Sequence, residues 1–257
     1  MKPILTRYRH IDPTTREVPP HLARKLRRAD DFIKITVSVC DALLSGDPVP
    51  INPGATGLFV GTGFGPMQTN FEVLDLVLEE GRSSPFLFSH SVFNAAAGYI
   101  AEIHGIKGCA QTITDFSHPF LLALREASTA ISSGRLQRCL VVQVETYSPL
   151  LDDSRQRFSP GCSPWPAGGV AWLLESSEVS QKGYRLENLE IDIRPSTPEV
   201  YLQRTEELTM NDSRIQTSDP LALARELTNY LAKDQPPKLH CHSNADFGTA
   251  QLLLHTI

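Results

Sequence analysis

The chain has 257 residues, of which 41% are hydrophobic, so it is long enough to bury one large core or two small ones. A formal charge of −5 excludes the basic footprint of a nucleic-acid-binding protein, and no apolar run is long enough to span a membrane. Five widely spaced cysteines and an N-terminus without an apolar signal core predict a cytoplasmic protein with reduced thiols.

The first hundred residues alternate loops with helical patterns. Residues 1–20 contain four prolines among polar residues and are predicted to form an arm. An apolar stripe over 21–45 predicts a helix. This segment carries a basic cluster of Arg24, Lys25, Arg27 and Arg28. Such a cluster is typical of a solvated helix face; the alternative is that it docks an acidic carrier protein. A buried strand over 58–60 and helices over 69–80 and 89–104 follow.

The middle of the chain predicts a strand, a tight turn, a buried helix and a second strand. Ala110–Thr114 alternates and carries β-branched residues, which favours a strand. Residues 115–119 form the turn, and the helix after it ends at Gly134. A continuous apolar run over 140–144 is typical of a strand buried on both faces. Ser117 therefore lies at an elbow where a nucleophile is often found.

The last third is less regular. Residues 146–167 are rich in Ser, Pro and Asp and predict a surface loop, although Trp165, between two prolines, is an alternative plug for a pocket or interface. Residues 194–217 show no period, and no internal repeat is visible. The remaining segments are predicted as strands over 169–175, 184–193, 238–243 and 251–257, and as a helix from Asp219 to Leu231.

This pattern resembles the N-terminal half of a β-ketoacyl synthase, in the thiolase-like superfamily. In that family a nucleophilic cysteine opens the buried helix, and ungapped counting from Gly108 and from Gly134 puts Ser117 at its position. Other matching segments, all between Arg27 and Glu175, are Gly61–Gly65, Ser84–Phe86, Asn94–Ala101, Gly105–Gly108, Val144–Glu145, Arg157–Phe158 and Gly168–Glu175. Asn244–Thr249 is weakly similar to the family's Gly-rich loop before its last strand.

The resemblance implies an α/β, thiolase-like fold with layered αβαβα architecture and a trimmed C-terminal half. It divides the chain into an N-terminal arm (1–20), an N-terminal thiolase-like half (21–178) and a shortened C-terminal half (179–257). Segments 89–104 and 108–117 would form the dimer interface. Besides Ser117 at the nucleophile position, the residues expected to line the acyl pocket or the interface are Phe93, Asn94, Thr114, Phe116, His118 and Phe247.

The chemistry that the family needs is incomplete in this sequence. A serine hydroxyl stays protonated unless a base is held against it, and His118, as the next residue in the chain, does not face Ser117. The family's histidine motifs have no convincing match. Gly61–Gly65 lacks the third glycine of a dinucleotide site, and His240 and His242 are weak evidence for metal, so no cofactor or metal is predicted.

Three functions remain open. The first is a non-condensing, chain-length-factor-type subunit that pairs with a catalytic β-ketoacyl synthase and an acyl carrier protein, in fatty-acid or polyketide-type synthesis such as the aryl-polyene pathways. The second is a serine-based acyltransferase or hydrolase that uses Ser117 with His90, His240 or His242 as its base. The third is a homodimeric scaffold without catalytic activity. The analogy favours the first.

Overall fold

A computed structural model describes residues 1–12, 18–46, 52–158, 161, 164–193, 206–211, 213–245 and 248–257. Within them, strands and helices alternate, and the α/β prediction is confirmed. In chain order the elements are β1 (Pro3–Ile11), α1 (Asp31–Leu44), β2 (Thr56–Thr62), α2 (Met67–Glu80), α3 (Pro85–Ser91), α4 (Ala95–His104), β3 (Ala110–Thr114), α5 (Pro119–Ser132), β4 (Arg138–Glu145), α6 (Pro149–Phe158), β5 (Gly168–Ser176), β6 (Tyr184–Ile193), β7 (Glu206–Met210), β8 (Ser213–Thr217), α7 (Ala222–Asp234), β9 (Lys238–Ala245) and β10 (Gly248–Thr256).

The strands form one mixed sheet in the order β3-β2-β4-β5-β1-β6-β10-β9-β7-β8. β1 and β6 join its two halves, with Ile4 opposite Arg185 and Leu5 opposite Tyr184. Read from its outer edge, each half has the same order of its own strands: third, second, fourth, fifth, first. The fold therefore repeats a topology that the sequence does not reveal.

The second half is the reduced copy. In the first half three helices, α2 to α4, connect β2 to β3, and these two strands run parallel. The corresponding strands β7 and β8 are separated by only two residues of the chain and run antiparallel, because so short a connection cannot return the chain to a parallel start. Among the described residues, α7 is the only helix between β6 and the C-terminus. This matches the predicted trimming.

Helices cover the two faces of the sheet unequally. Helices α5 and α7 share one hydrophobic cluster with strands from both halves, including Trp172, Leu208 and Leu252. Helices α1 and α4 pack on the opposite face of the first half in a second cluster. On the second half that face carries polar side chains: along β9, Leu239 and Cys241 are buried, whereas Lys238 and His240 are exposed. The alternation lets this face contact water where none of the described helices covers it.

The predicted N-terminal arm is wrong for Pro3–Ile11, because these residues form β1 in the middle of the sheet. Pro3 occupies the first position of the strand, where its missing N–H is tolerated, and the residues that follow pair with β5. The helix predicted over 21–45 begins only at Asp31, where the Asp30 carboxylate caps it by accepting from the Ile33 N–H at 2.9 Å.

Three further segments differ from prediction. An extended residue, Val92, separates α3 from α4 inside the helix predicted over 89–104. Helix α6 lies within the predicted loop 146–167, and β7 and β8 form a hairpin within the aperiodic segment 194–217. Short elements of this kind depend on packing more than on local pattern. Residues 194–205 and Phe247 lie outside the described part.

The start of α5 packs directly on β2 at a glycine. A Cβ on Gly61 would lie 2.3 Å from the carbonyl oxygen of Pro119 and 2.6 Å from its carbonyl carbon. Such distances are far below van der Waals contact, and both atoms belong to the backbone. Only glycine at position 61 lets the elbow lie this close to the sheet.

We therefore expect Gly61→Ala to lower the free energy of unfolding by about 2–3 kcal/mol, because backbone must move to admit the methyl group. Urea denaturation of the purified chain measures this. Gly98→Ala is the matched control, since Gly98 lies on α4 and a Cβ there meets nothing within 4 Å. The control should stay within about 1 kcal/mol of the parent, on the stabilising side. Equal effects of the two substitutions would contradict the close-packing argument.

Candidate functional site

The turn between β3 and α5 positions Ser117. The Asp115 carboxylate accepts hydrogen bonds from the backbone N–H groups of Ser117, at 2.8 Å, and of His118, at 2.6 Å, which holds the turn tightly. Pro119 then occupies the first position of α5, where its missing N–H costs no helical hydrogen bond. The Ser117 side chain is buried, with 4% of its surface exposed.

His118 points away from the elbow into the second half of the fold. Its Nε2 lies 2.8 Å from Ser243 Oγ on β9, and the Ser243 hydroxyl donates to Glu206 Oε1 on β7 at 2.6 Å. Since the single hydroxyl proton of Ser243 goes to Glu206, the imidazole donates through Nε2. All three side chains are buried. His118, Ser243 and Glu206 thus form a polar bridge between the two halves.

The other candidate bases lie elsewhere. His90 Nε2 is 3.0 Å from the Tyr99 hydroxyl. His240 and His242 alternate with buried Cys241 and Ser243 along β9, so they project from the face opposite the polar bridge. Neither of these two histidines is directed towards the side of the sheet on which α5 lies.

Aromatic rings fill the space beside the elbow. The Phe64 ring lies 5.6 Å from Phe116, 6.0 Å from Tyr147 and 5.7 Å from Trp165, measured between centroids. The guanidinium of Arg155 lies 3.8 Å above the Trp165 ring, and both side chains are buried. We call Phe64, Phe116, Tyr147 and Trp165 the aromatic cluster. Trp165 is therefore buried, and the prediction of a surface loop is wrong for this residue.

Tyr147 of the aromatic cluster also lines a neighbouring cleft. A cleft of about 380 Å³ opens between the first turns of α1 and α2 and helix α3, and its lining includes Arg28, Thr69, His90 and Tyr147. Tyr147 belongs both to this cleft and to the aromatic cluster, which continues through Phe64 to Phe116, next to Ser117 in the chain. A chain of ring contacts thus runs from the cleft to the elbow.

A buried carboxyl group supports the Gly-rich turn after β2. Glu145, at the end of β4, accepts from the backbone N–H of Gly63 at 2.6 Å, from that of Phe64 at 3.3 Å and from the Thr62 hydroxyl at 3.2 Å. The Gln143 amide donates to it at 3.1 Å. Complete burial raises the pKa of Glu145 to about 7, although these four donors act in the opposite direction. Glu145 thereby fixes Phe64 within the aromatic cluster.

None of the buried cysteines that the structure describes is suited to act as a thiolate nucleophile. Burial raises the pKa of Cys139 and of Cys241 to about 12, and it raises that of Cys40 as well, so these groups stay protonated near neutral pH. Cys109 is exposed just before β3, away from the elbow turn. Cys162 lies outside the described residues.

The other predicted site residues are dispersed. Thr114 is exposed at the end of β3, and Asn94 is exposed at the N-terminus of α4. Phe93 is 38% exposed and packs its ring against Gly65.

Sequence reasoning overlooked Phe64 and Tyr147 as site residues. Both follow the carboxyl ends of the parallel strands β2 and β4, and that position could have identified them, since side chains there converge on one edge.

Within the described ranges, no group of three or more His, Cys, Asp or Glu side chains is arranged to hold a metal ion. None of the helices described combines the length and the apolar composition needed to cross a bilayer.

The raised pKa of Glu145 predicts a pH dependence of stability. Because the folded state holds this proton more tightly than the unfolded chain, the contribution is present below about pH 4.5 and is lost as the pH rises through about 7. A shift of this size corresponds to about 3 kcal/mol. We expect the free energy of unfolding of the parent, relative to that of Glu145→Gln, to fall by that order between pH 4.5 and 8 in urea titrations. Parallel curves for the two proteins would contradict the assignment.

Three solved structures illustrate the similarity to known folds. A chain of the ishigamide ketosynthase/chain length factor is 15% identical, with 100% of each chain covered and a TM-score of 0.74. A chain from the complex of the ketosynthase ApeO with its chain length factor ApeC, from Xenorhabdus doucetiae, is 17% identical, with 99% of each chain covered and a TM-score of 0.66. The AntDE:AntF complex, a type II polyketide synthase acyl-carrier protein with its ketosynthase, matches at 18% identity over 76% of this chain and 69% of the other, with a TM-score of 0.64.

At these identities the likeness establishes a thiolase-like fold. No curated protein sequence is significantly similar to this chain. The model of the family described as β-ketoacyl synthase, N-terminal domain, matches residues 8–229, and this protein therefore belongs to that family.

Proposed function

We propose that this protein is a non-condensing subunit of the chain-length-factor type, which pairs with a catalytic β-ketoacyl synthase in fatty-acid or polyketide-type synthesis. The observation that carries the proposal is the closed elbow. A buried hydroxyl, Ser117, occupies the place of the family's thiol, and the aromatic cluster fills the space beside it. A condensing enzyme needs a nucleophile that its substrate can reach.

The arrangement of histidines favours this role over a serine-based acyltransferase. Serine needs an adjacent base to become a nucleophile. His118 directs its Nε2 to Ser243, and His240 and His242 project from the opposite face of β9. The similar structures include chains from ketosynthase/chain length factor complexes that this chain covers end to end, which supports the assignment by analogy.

The two edges of the sheet differ in a way that supports a partner at β3. Edge strands left open usually carry charges that prevent pairing with other chains. β8 carries Arg214, which lies 3.9 Å from Glu207. β3 has the sequence AQTIT, without a charged residue, and all five of its residues are exposed or half-buried. We assign β3, with Thr114 at its end, and the exposed residues Phe93 and Asn94 to the side that meets the partner.

Ser117→Ala tests the proposal in the complex formed with a ketosynthase that this protein captures when it is co-expressed with the genes that flank its own. We expect the complex to form with a 1:1 ratio of subunits and its product yield to stay within about twofold of the parent, because the hydroxyl does no chemistry. Product analysis by mass spectrometry measures the yield. Carbon–carbon bond formation by this chain alone, abolished in Ser117→Ala, would sink the proposal, as would failure of the two proteins to associate.

We also propose that an acyl carrier protein approaches the complex at the basic segment before α1. Arg24, Lys25 and Arg27 are exposed there, close together on a chain of net negative charge. Carrier proteins are acidic, so a local basic segment would steer them towards the complex in spite of the overall charge of −5.

Reversing these three charges to Glu should lower carrier-dependent turnover by the complex about tenfold at low salt, with a smaller difference at higher ionic strength as screening grows. Turnover at several salt concentrations measures the effect. A matched triple reversal at Arg157, Lys182 and Lys233, all exposed elsewhere, should leave turnover nearly unchanged. Equal losses in the two triple variants would show that only net charge matters.

A further inference from the structure

The cleft between α1, α2 and α3 has the size and the position of a small-molecule site. Its volume of about 380 Å³ falls within the roughly 300–1,000 Å³ typical of such sites. Pro66 and Tyr147, which follow the parallel strands β2 and β4, contribute to its lining. In α/β folds, ligands commonly bind beyond the carboxyl ends of parallel strands. Phe32, Leu87 and the Tyr147 ring supply apolar surface, so the cleft can hold an apolar group as well as polar ones.

Part of the lining offers hydrogen-bond donors to an anionic group. Helix α2 follows Pro66, and no side chain caps its first turn, where Gln68 and Thr69 line the cleft. The backbone N–H groups of that turn are thus left for another acceptor. The Arg28 guanidinium lies 5.9 Å from the centroid of the Phe86 ring, and within the part of the chain that the structure describes it makes no hydrogen bond or ion pair. A carboxylate in the cleft would meet both a cation and a helix N-terminus.

A buried imidazole provides an independent indication of a ligand. His90 lines the cleft, although only 4% of its surface is exposed. Its Nε2 lies 3.0 Å from the Tyr99 hydroxyl, and this is its one hydrogen bond to the described residues. Nδ1 therefore has no partner among them, yet it is not one of the fully enclosed polar atoms. With the Tyr99 hydroxyl as donor to Nε2, the neutral ring carries its proton on Nδ1, where it can be donated to a ligand carboxylate.

The cleft also contains carboxylates that can bind a positive group. Asp31 and Glu72 line it and are exposed, whereas a third carboxylate, Asp30, is used as the cap of α1. Asp31 lies 3.5 Å from Lys34, and Glu72 accepts from the Gln68 amide at 3.1 Å. Exposed pairs of this kind contribute little to stability, so an ammonium group can join or replace these partners at low cost. The cleft thus carries charges of both signs.

We infer that this cleft binds a free α-amino acid with an apolar side chain, and the inference does not depend on the proposed function. The carboxylate of such a zwitterion meets Arg28, His90 Nδ1 and the first turn of α2. Its ammonium group meets Asp31 and Glu72, and its side chain meets the apolar part of the lining. A simple anion would face three carboxylates, and a simple cation would leave the donors unused.

Three ligands that share one side chain test the inference on the purified full chain. L-phenylalanine carries both charges, 2-phenylethylamine lacks the carboxylate and 3-phenylpropionate lacks the ammonium group. We expect calorimetry to show saturable binding of L-phenylalanine, with each analogue at least about tenfold weaker because it leaves one set of charged groups unpaired. Equal affinity for the three compounds, or no binding of either L-phenylalanine or L-leucine at about 10 mM, would overturn the inference.

Substitutions at the two charged ends locate the site. Arg28→Gln and Glu72→Gln should each raise the Kd for L-phenylalanine at least about fivefold, because each removes one charged partner of the ligand. The matched controls are Arg27→Gln and Glu79→Gln, which neutralise exposed residues that are not part of the lining, and they should change Kd less than about twofold. All four side chains are exposed, so the variants should unfold at the temperature of the parent.

A spectroscopic measurement on the parent needs no variant. The nitrogen NMR signal of His90 Nδ1 should shift when L-phenylalanine is added, since this nitrogen gains a hydrogen-bond partner. If L-phenylalanine binds while Arg28→Gln and Glu72→Gln keep the Kd of the parent, or while the His90 signal stays unchanged, the ligand lies elsewhere and the inference is wrong.

Discussion

The contact between Gly61 and Pro119 determines where the elbow lies. Without a side chain at position 61, the backbone at the start of α5 rests on β2 at a distance that any Cβ would prevent. This places Ser117 below the surface and leaves His118 to reach β9. The aromatic cluster then packs on the same side, because Phe64 leaves the turn directly after β2. Closure of the site thus begins with backbone packing.

Hydrogen bonds between the two halves of the fold help to hold the reduced second half in its position against the first. The bridge from His118 through Ser243 to Glu206 is completely buried, so breaking it would leave buried polar groups unsatisfied. Two further hydrogen bonds join the halves: Trp165 donates to Ser218 at 3.1 Å, and Gln143 donates to the Pro220 carbonyl at 3.0 Å. Together with the pairing of β1 and β6, directional contacts of this kind fix how the two halves are aligned.

The sequence predicts those parts of the fold in which a strong local pattern coincides with burial. The strand at Ala110–Thr114, the helix ending at Gly134 and the doubly buried strand β4 each have clear periodicity, and the structure contains all three. β1 was missed because its neighbouring prolines suggested a loop, whereas its place in the sheet depends on pairing with β5 and β6. The repeated topology could not be predicted, because it lies in the order of the strands in the sheet. A short segment of sequence does not show that order.

The elbow was predicted in position, but the side chains packed beside it were not predicted. Ser117 could be located by counting from two glycines, since the elbow has a fixed length. The residues that close it, Phe64, Tyr147 and Trp165, come from three separate loops, and only the folded chain brings them together. The role of Glu145 was equally hidden, because a carboxyl group at the end of an apolar strand does not reveal which backbone N–H groups it will meet.

The aromatic side chains at the elbow are packed inside the protein, whereas apolar side chains of α2 and α3 are exposed. This contrast indicates which part of the surface is available for binding. Aromatic side chains that could line a pocket are used internally, packed against each other and against Arg155. Leu78 and Phe88, by contrast, are left outside on helices that gain little from the core. A 14-residue helix is marginal in water unless its apolar face is buried. Folding of this chain alone leaves apolar side chains of α2 in contact with water. Their burial by another protein would therefore provide further stabilisation.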